Sequence, residues 1–304
     1  MPLLSRPLLS RPRLADPIGR LLSAASRRAP VPKREFADLP VVTEQIVVPT
    51  RHGDVATTVY RPAGAADRPP VYVNVHGGGF VIRFPEQDDA WCRYLATHAG
   101  VVVLNPDYGT APKHRFPVAV EQIRDLVAWA AAPEREWDGT RLVVGGQSAG
   151  GNLATAAARL ALEEDGPAIA LQVLVYPVTD LATPRQRKPG SGRVPPAWMA
   201  SVFNTTYVPE QAQREHRLAS PTWGTNSAGL DGIAPALVVT TEKDSLRAEG
   251  AAYAAALDAA GSLVELIDVD GVDHGFDIRA ENPETTRTTY ARITEHVVRA
   301  VAPR

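Results

Sequence analysis

Three residues that together could activate a serine hydroxyl, Ser148, Asp244 and His274, occur in that order along a chain of 304 residues. A serine hydroxyl is a poor nucleophile until a base takes its proton, and an imidazole of pKa near ~6.5 can do that at neutral pH. A carboxylate beside the ring would hold the right tautomer and stabilise the imidazolium without itself becoming protonated. The chemistry such a set serves is acyl transfer. Ser148 sits in Gly146-Gln147-Ser148-Ala149-Gly150, directly after the apolar run Leu142-Val143-Val144 and before an Ala-rich stretch from Leu153 to Leu162. That is a strand turning sharply into a helix, the context a strained, exposed nucleophile requires.

The other two segments have the same form. Val71-Tyr72-Val73-Asn74-Val75 runs into His76-Gly77-Gly78-Gly79-Phe80, a loop whose glycines leave backbone N–H groups open. The N–H groups of Gly78, Gly79 and Ala149 are the expected donors to an oxyanion. Ala236-Leu237-Val238-Val239-Thr240 leads to Asp244, and Leu263-Val264-Glu265-Leu266-Ile267 leads to His274-Gly275-Phe276. Each residue alone has a plainer explanation: a helix cap for Ser148, a loop acid for Asp244, a hydrogen-bonded turn for His274. Glu242, Asp268, Asp270 and Asp273 compete for the acid's role, while His76 and His114 read as structural.

With these segments the chain resembles the hormone-sensitive-lipase group of α/β-hydrolases, bacterial carboxylesterases with a His-Gly-Gly-Gly oxyanion loop. The stretch Asn105 to Pro117 is similar to the group's Tyr-x-x-Ala-Pro-Glu-His-x-Phe-Pro element. Tyr176-Pro177, Ser220-Pro221 and Asp244-Ser245-Leu246-Arg247 match its Tyr-Pro, Ser-Pro and Asp-Pro-Leu-Arg elements. The resemblance implies a serine carboxylesterase acting on short- to medium-chain acyl esters through an acyl-enzyme. Its triad would be Ser148, Asp244 and His274, and its oxyanion donors Gly78, Gly79 and Ala149. An amidase or N-acyl deacylase could use the same triad. A non-catalytic ligand receptor on this scaffold is the reading that retention of His274 opposes. Two departures stand out: Gln147 replaces the usual Asp or Thr before the serine, and Ser245 replaces a proline.

The elements that must hold these residues alternate between strand and helix, the pattern of a mostly parallel sheet covered on both faces. Thr43 to Val48 and Val55 to Tyr60 read as an opening antiparallel hairpin. Strands follow at 71–75, 101–105, 141–144, 171–176, 236–240 and 263–269, with helices at 88–99, 118–131, 247–260 and about 284–301 besides the one behind Ser148. Residues 40–180 and 222–304 are thus expected to form an α/β-hydrolase core. By resemblance, residues 1–39 and 181–221 should fold together as a helical cap, with Trp198, Phe203 and Tyr207 as candidates to line a substrate pocket.

Composition narrows the partners. The net charge is −2 and no basic stretch is interleaved with aromatics, so a small-molecule ester, not nucleic acid, is the expected partner. The single Cys92 and seven histidines offer no metal-ligand spacing, so neither metal nor cofactor is expected. Residues 1–34 are an exception to the acidic balance, with eight Lys/Arg against Asp16 alone, a local +7. Arg6, Pro7, Arg11 and Pro12 interrupt any secretory signal, and no window is long enough to span a membrane. The segment reads as a lead-in to a cap helix beginning near Asp16-Pro17; a transit peptide or a membrane-surface segment is the alternative. The cytoplasm is the expected location, with a homodimer left open.

Overall fold

A computed structural model describes residues 8–28, 35–64, 67–184, 187–189 and 194–303. Residues 1–7 of the expected lead-in lie outside them. Eight strands form one sheet in the order β1-β2-β4-β3-β5-β6-β7-β8. Their ranges are β1 Val41–Val48, β2 Val55–Pro62, β3 Pro70–Val75, β4 Val102–Pro106, β5 Asp138–Gln147, β6 Leu171–Val175, β7 Ala236–Thr241 and β8 Leu263–Val269. β1 pairs antiparallel with β2, and β2 with β4, whereas β4, β3, β5, β6, β7 and β8 run parallel.

The inner parallel strands β4, β3, β6 and β7 and the second half of β5 are buried on both faces, which is why they read as largely apolar runs. Alternate residues enter different cores: Val71, Val73, Leu142, Val144, Ala236 and Val238 join one, and Tyr72, Val143, Leu237 and Val239 the other. The helices are α1 Pro12–Ser26, α2 Asp89–Ala99, α3 Val118–Ala131, α4 Ala149–Glu163, α5 Ala197–Tyr207, α6 Gln211–Arg214, α7 Arg247–Ala259 and α8 Pro283–Ala300. Core residues of α3, α4 and α7 fill the first core, and those of α2 and α8 the second. Cys92 lies fully buried in the second, as an apolar filler would.

Two elements differ from the sequence reading. α1 begins at Pro12, with Pro17 inside it, and not near Asp16-Pro17. Proline fits the first helical turn, where its missing N–H costs nothing, and Pro17 sits at an exposed position. β5 extends to Gln147 through Gly145 and Gly146, well past Val144. Those glycines mark close packing: a Cβ on Gly145 would stand 2.0 Å from the Tyr72 Oη.

α1 packs on α5. The contact is close at Gly19, whose missing Cβ would lie 3.1 Å from Val81 Cγ1 and 3.4 Å from Thr206 Oγ1. Arg115 pairs with Asp16 at 2.5 Å, fixing α1 to the segment that precedes α3. Among the described residues no helix is long and apolar enough to cross a membrane.

Candidate active site

Because β3, β5, β7 and β8 are parallel, the segments that follow them emerge along one edge of the sheet, where open α/β sheets place their ligand crevice. Ser148 comes directly after β5 with φ 55° and ψ −116°, a left-handed conformation that side chains rarely accept. The surroundings impose it: Ser148 N–H donates to the Val175 carbonyl at 2.9 Å, and Val178 N–H donates to the Ser148 carbonyl at 3.1 Å. Gly146 and Gly150 are required by crowding. A Cβ on Gly150 would approach the Val75 carbonyl oxygen to 1.8 Å, and one on Gly146 would approach it to 2.4 Å.

The three residues singled out by their order come together. His274 Nε2 lies 3.0 Å from Ser148 Oγ, and its Nδ1 lies 2.7 Å from Asp244 Oδ2. The Asp244 side chain is fully buried, and its other oxygen accepts from Leu246 N–H at 2.9 Å. Three of the rival acids have other partners, Asp268 with Thr240 and Arg247, Glu242 with Gly271 N–H and Asp273 with the backbone N–H of His274, and Asp270 is exposed at the surface. Burial lowers the His274 pKa, but the charge of Asp244 and its hydrogen bond outweigh this and set it above the ordinary histidine value.

The loop carrying His274 is held by residues the motifs did not reveal. Tyr176, at φ 35°, places its ring 4.8 Å from the imidazole and donates to Asp277 at 2.6 Å, while Tyr290 donates to the same carboxylate at 3.1 Å. The Tyr-Pro pair after β6 was a signal for Tyr176; nothing short-range points to Asp277. Arg279 donates to the His274 carbonyl.

Gly77, Gly78 and Gly79 border the same cavity as Ser148 and His274. Gly78 has φ 119° and Gly79 φ 59°, and Cβ atoms there would strike the Ile82 carbonyl at 2.6 Å and the Phe203 ring at 2.1 Å. Among the described residues, the N–H groups of Gly78, Gly79 and Ala149 donate to no protein acceptor. His76 is buried with Nδ1 2.7 Å from the Gly77 carbonyl and its ring stacked on Tyr108, and burial pushes its pKa down to about 4. It holds the loop as a neutral ring.

The cavity measures about 260 Å³. Of the three aromatic candidates only Phe203 lines it. Trp198 is 46% exposed, and Tyr207 is buried with its ring stacked 4.0 Å from Phe80. Val194, Pro195, Ala200 and Asn204 line it from the same segment instead. The side-chain amide of Gln147, the departure before the serine, abuts the buried carboxylate of Asp88, and with the amide oriented to donate its nitrogen lies 2.6 Å from Asp88 Oδ2. Among the described residues no group of three His, Cys, Asp or Glu could hold a metal ion.

The sheet order, the strained serine and the hydrogen-bonded Ser–His–Asp set have the arrangement that a serine hydrolase on an α/β scaffold requires. A family model described as alpha/beta hydrolase fold matches residues 72–278, and the chain belongs to that family, in the hormone-sensitive-lipase-like group that its motifs resemble. It is 34% identical to Carboxylesterase NlhH of Mycobacterium tuberculosis over 227 residues, 73% of this chain and 71% of the relative. It is also 34% identical to Ethyl acetate hydrolase of Pseudomonas putida over 281 residues, 85% and 86% of the two chains. The structure of a hyperthermophilic esterase from the archaeon Pyrobaculum calidifontis is similar, with a TM-score of 0.81, 33% identity and coverage of 96% and 92%.

Proposed function

We propose that the chain is a serine carboxylesterase, a carboxylic ester hydrolase that works through an acyl-enzyme. The observation that carries this reading is the unbroken path Asp244 to His274 to Ser148, ending in a cavity beside three backbone donors without acceptors. Ser148 Oγ attacks the ester carbonyl as His274 Nε2 takes its proton. The oxyanion is received by the N–H groups of Gly78, Gly79 and Ala149, which need no reorganisation as charge develops. The C–O bond breaks as His274 returns the proton to the departing alcohol. Water, deprotonated by the same ring, then attacks the acyl-serine and releases the acid. The names of the two relatives and of the archaeal structure support ester substrates. A volume of 260 Å³ lies below the roughly 300–1,000 Å³ of pockets for drug-sized ligands, which supports short to medium acyl chains.

Residues 1–39 and 181–221 act in this reading as the cap. Support comes from the packing of α1 on α5 and from the presence of Phe203 and Asn204 in the cavity wall. The second copy of a homodimer would sit on β8, the last strand of the sheet, where Val264 and Leu266 are exposed. The cytoplasm is the proposed compartment, since the one thiol, buried Cys92, forms no disulfide that would need an oxidising environment.

A panel of p-nitrophenyl esters of increasing chain length, run beside the matching anilides with Ser148→Ala as control, tests the reading. Hydrolysis of the short esters, lost in Ser148→Ala, is expected; anilide cleavage at equal efficiency would make the protein an amidase, and no Ser148-dependent turnover of either would refute the enzyme reading.

A further inference from the structure

The short turn Pro85–Asp88 takes no part in the steps above, yet it reaches both the elbow and the cavity. Asp88 is buried, and its carboxylate accepts from the amides of Gln147 and of Asn74, the latter at 2.9 Å. Asn74 also donates to Asn105 at 3.1 Å, and Asn105 donates back to the Pro85 carbonyl at 2.9 Å. Both ends of the turn are thereby fastened to β3, β4 and β5. Buried hydrogen bonds at both ends of the turn restrain the two residues between them, Glu86 and Gln87.

Of the two, Gln87 lines the cavity with Ser148 and His274. Its Nε2 is shut off from solvent and meets no protein acceptor among the described residues. Native structures rarely leave a buried donor unpaired without a reason. Its position supplies one: the Cβ that a side chain at Gly77 would carry is 3.6 Å from Gln87 Nε2 and 3.6 Å from Ser148 Cβ, so the amide and the nucleophile's side chain border the same spot. Glycine at 77 keeps a side chain out of that spot. Much of the rest of the wall is apolar, including Val178, Leu181, Val194, Pro195 and Ile278.

We propose that Gln87 is a specificity-determining residue whose Nε2 donates a hydrogen bond to an oxygen acceptor on the substrate close to the scissile carbonyl. Esters carrying an ether or carbonyl oxygen there are favoured over hydrocarbon esters of the same shape. The inference rests on the carboxylesterase reading, and wild-type hydrolysis of p-nitrophenyl butyrate that is lost in Ser148→Ala establishes that reading independently of Gln87.

The test compares kcat/KM for isosteric pairs in the full chain. p-Nitrophenyl methoxyacetate against the butyrate places an oxygen on the acyl side, and 2-methoxyethyl butyrate against butyl butyrate places one on the alcohol side. Using the ratio within each pair, and following its change from wild type to variant, cancels the intrinsic reactivity of each ester. Gln87→Leu is expected to lower one of the two ratios by about 3- to 10-fold, the worth of one neutral hydrogen bond. Gln87→Glu, which replaces the donor by an acceptor, is expected to lower the same ratio at least as far, and it serves if the leucine variant does not fold. A merely structural Gln87 would reduce both members of each pair equally; that result, or ratios unchanged in both pairs, overturns the proposal.

Discussion

At the scale of single residues, His274 is held between the buried carboxylate of Asp244 and the hydroxyl of Ser148, whose backbone is strained. Protonated imidazole cannot accept the serine proton, so kcat/KM for a neutral ester rises with pH and levels off. Asp244 holds the His274 pKa above 6.5, so the inflection of the pH profile is expected above that value. Removing the carboxylate's charge in Asp244→Asn is expected to lower kcat by roughly 10³- to 10⁴-fold with the fold intact, and also to move the inflection down. Near-native kcat in that variant would remove Asp244 from the mechanism. The triad and its order are legible in the sequence because each residue lies just beyond an apolar strand. Its support is less so: Asp277 and Asp88 act through contacts far apart in the chain, as in the 101-residue separation of Tyr176 and Asp277, and no local pattern records such a meeting.

At the scale of elements, the turn from β5 into α4 depends on glycines that cannot be replaced. A Cβ on Gly150 would overlap the Val75 carbonyl, and backbone cannot swing aside as a side chain can. Gly150→Ala is therefore expected either to fail to fold or to lose at least about 10²-fold in kcat through displacement of Ser148, read by activity beside a thermal melt. Wild-type behaviour would show that the elbow has slack. The same crowding explains why β5 looked short: Gly145 and Gly146 weaken a strand signal, and the side chain that excludes a Cβ, Tyr72, belongs to another strand. α1 is the converse case, where Pro17 looked like a start and is an interior residue. Gly19 is where α1 approaches Val81 and Thr206, so Gly19→Leu is expected to wedge α1 from α5 and shift the preferred acyl length without abolishing activity on the shortest ester. An unchanged chain-length profile would separate α1 from the substrate pocket.

At the scale of the whole molecule, one sheet edge gathers the reacting groups while the last strand of the same sheet is left with exposed apolar side chains. Replacing Val264 and Leu266 by lysine on β8 is expected to convert dimer to monomer in analytical ultracentrifugation with the triad undisturbed; a wild type that sediments as a monomer would refute the proposed assembly. Acid should act elsewhere. Glu163, at the end of α4, binds Arg217 and Arg159, and the Arg217 bond chiefly holds its pKa at about 2, below the ordinary 4.5. A carboxylate lowered in the folded state adds stability above its unfolded pKa, and that stability is lost as pH falls from about 4.5 through 2. Glu163→Gln is expected to flatten the decline in melting temperature across that window, and an unaltered decline would assign acid sensitivity to other groups.

The central claim is that Ser148 is the nucleophile. The most direct measurement is to treat the full chain with an organophosphate, map the adduct by mass spectrometry and follow hydrolysis of a short ester in parallel. One phosphoryl group on Ser148, appearing in step with the loss of activity and absent from His274→Ala on the same timescale, is the result predicted. A label on another residue, or undiminished hydrolysis after Ser148 is fully modified, would contradict it.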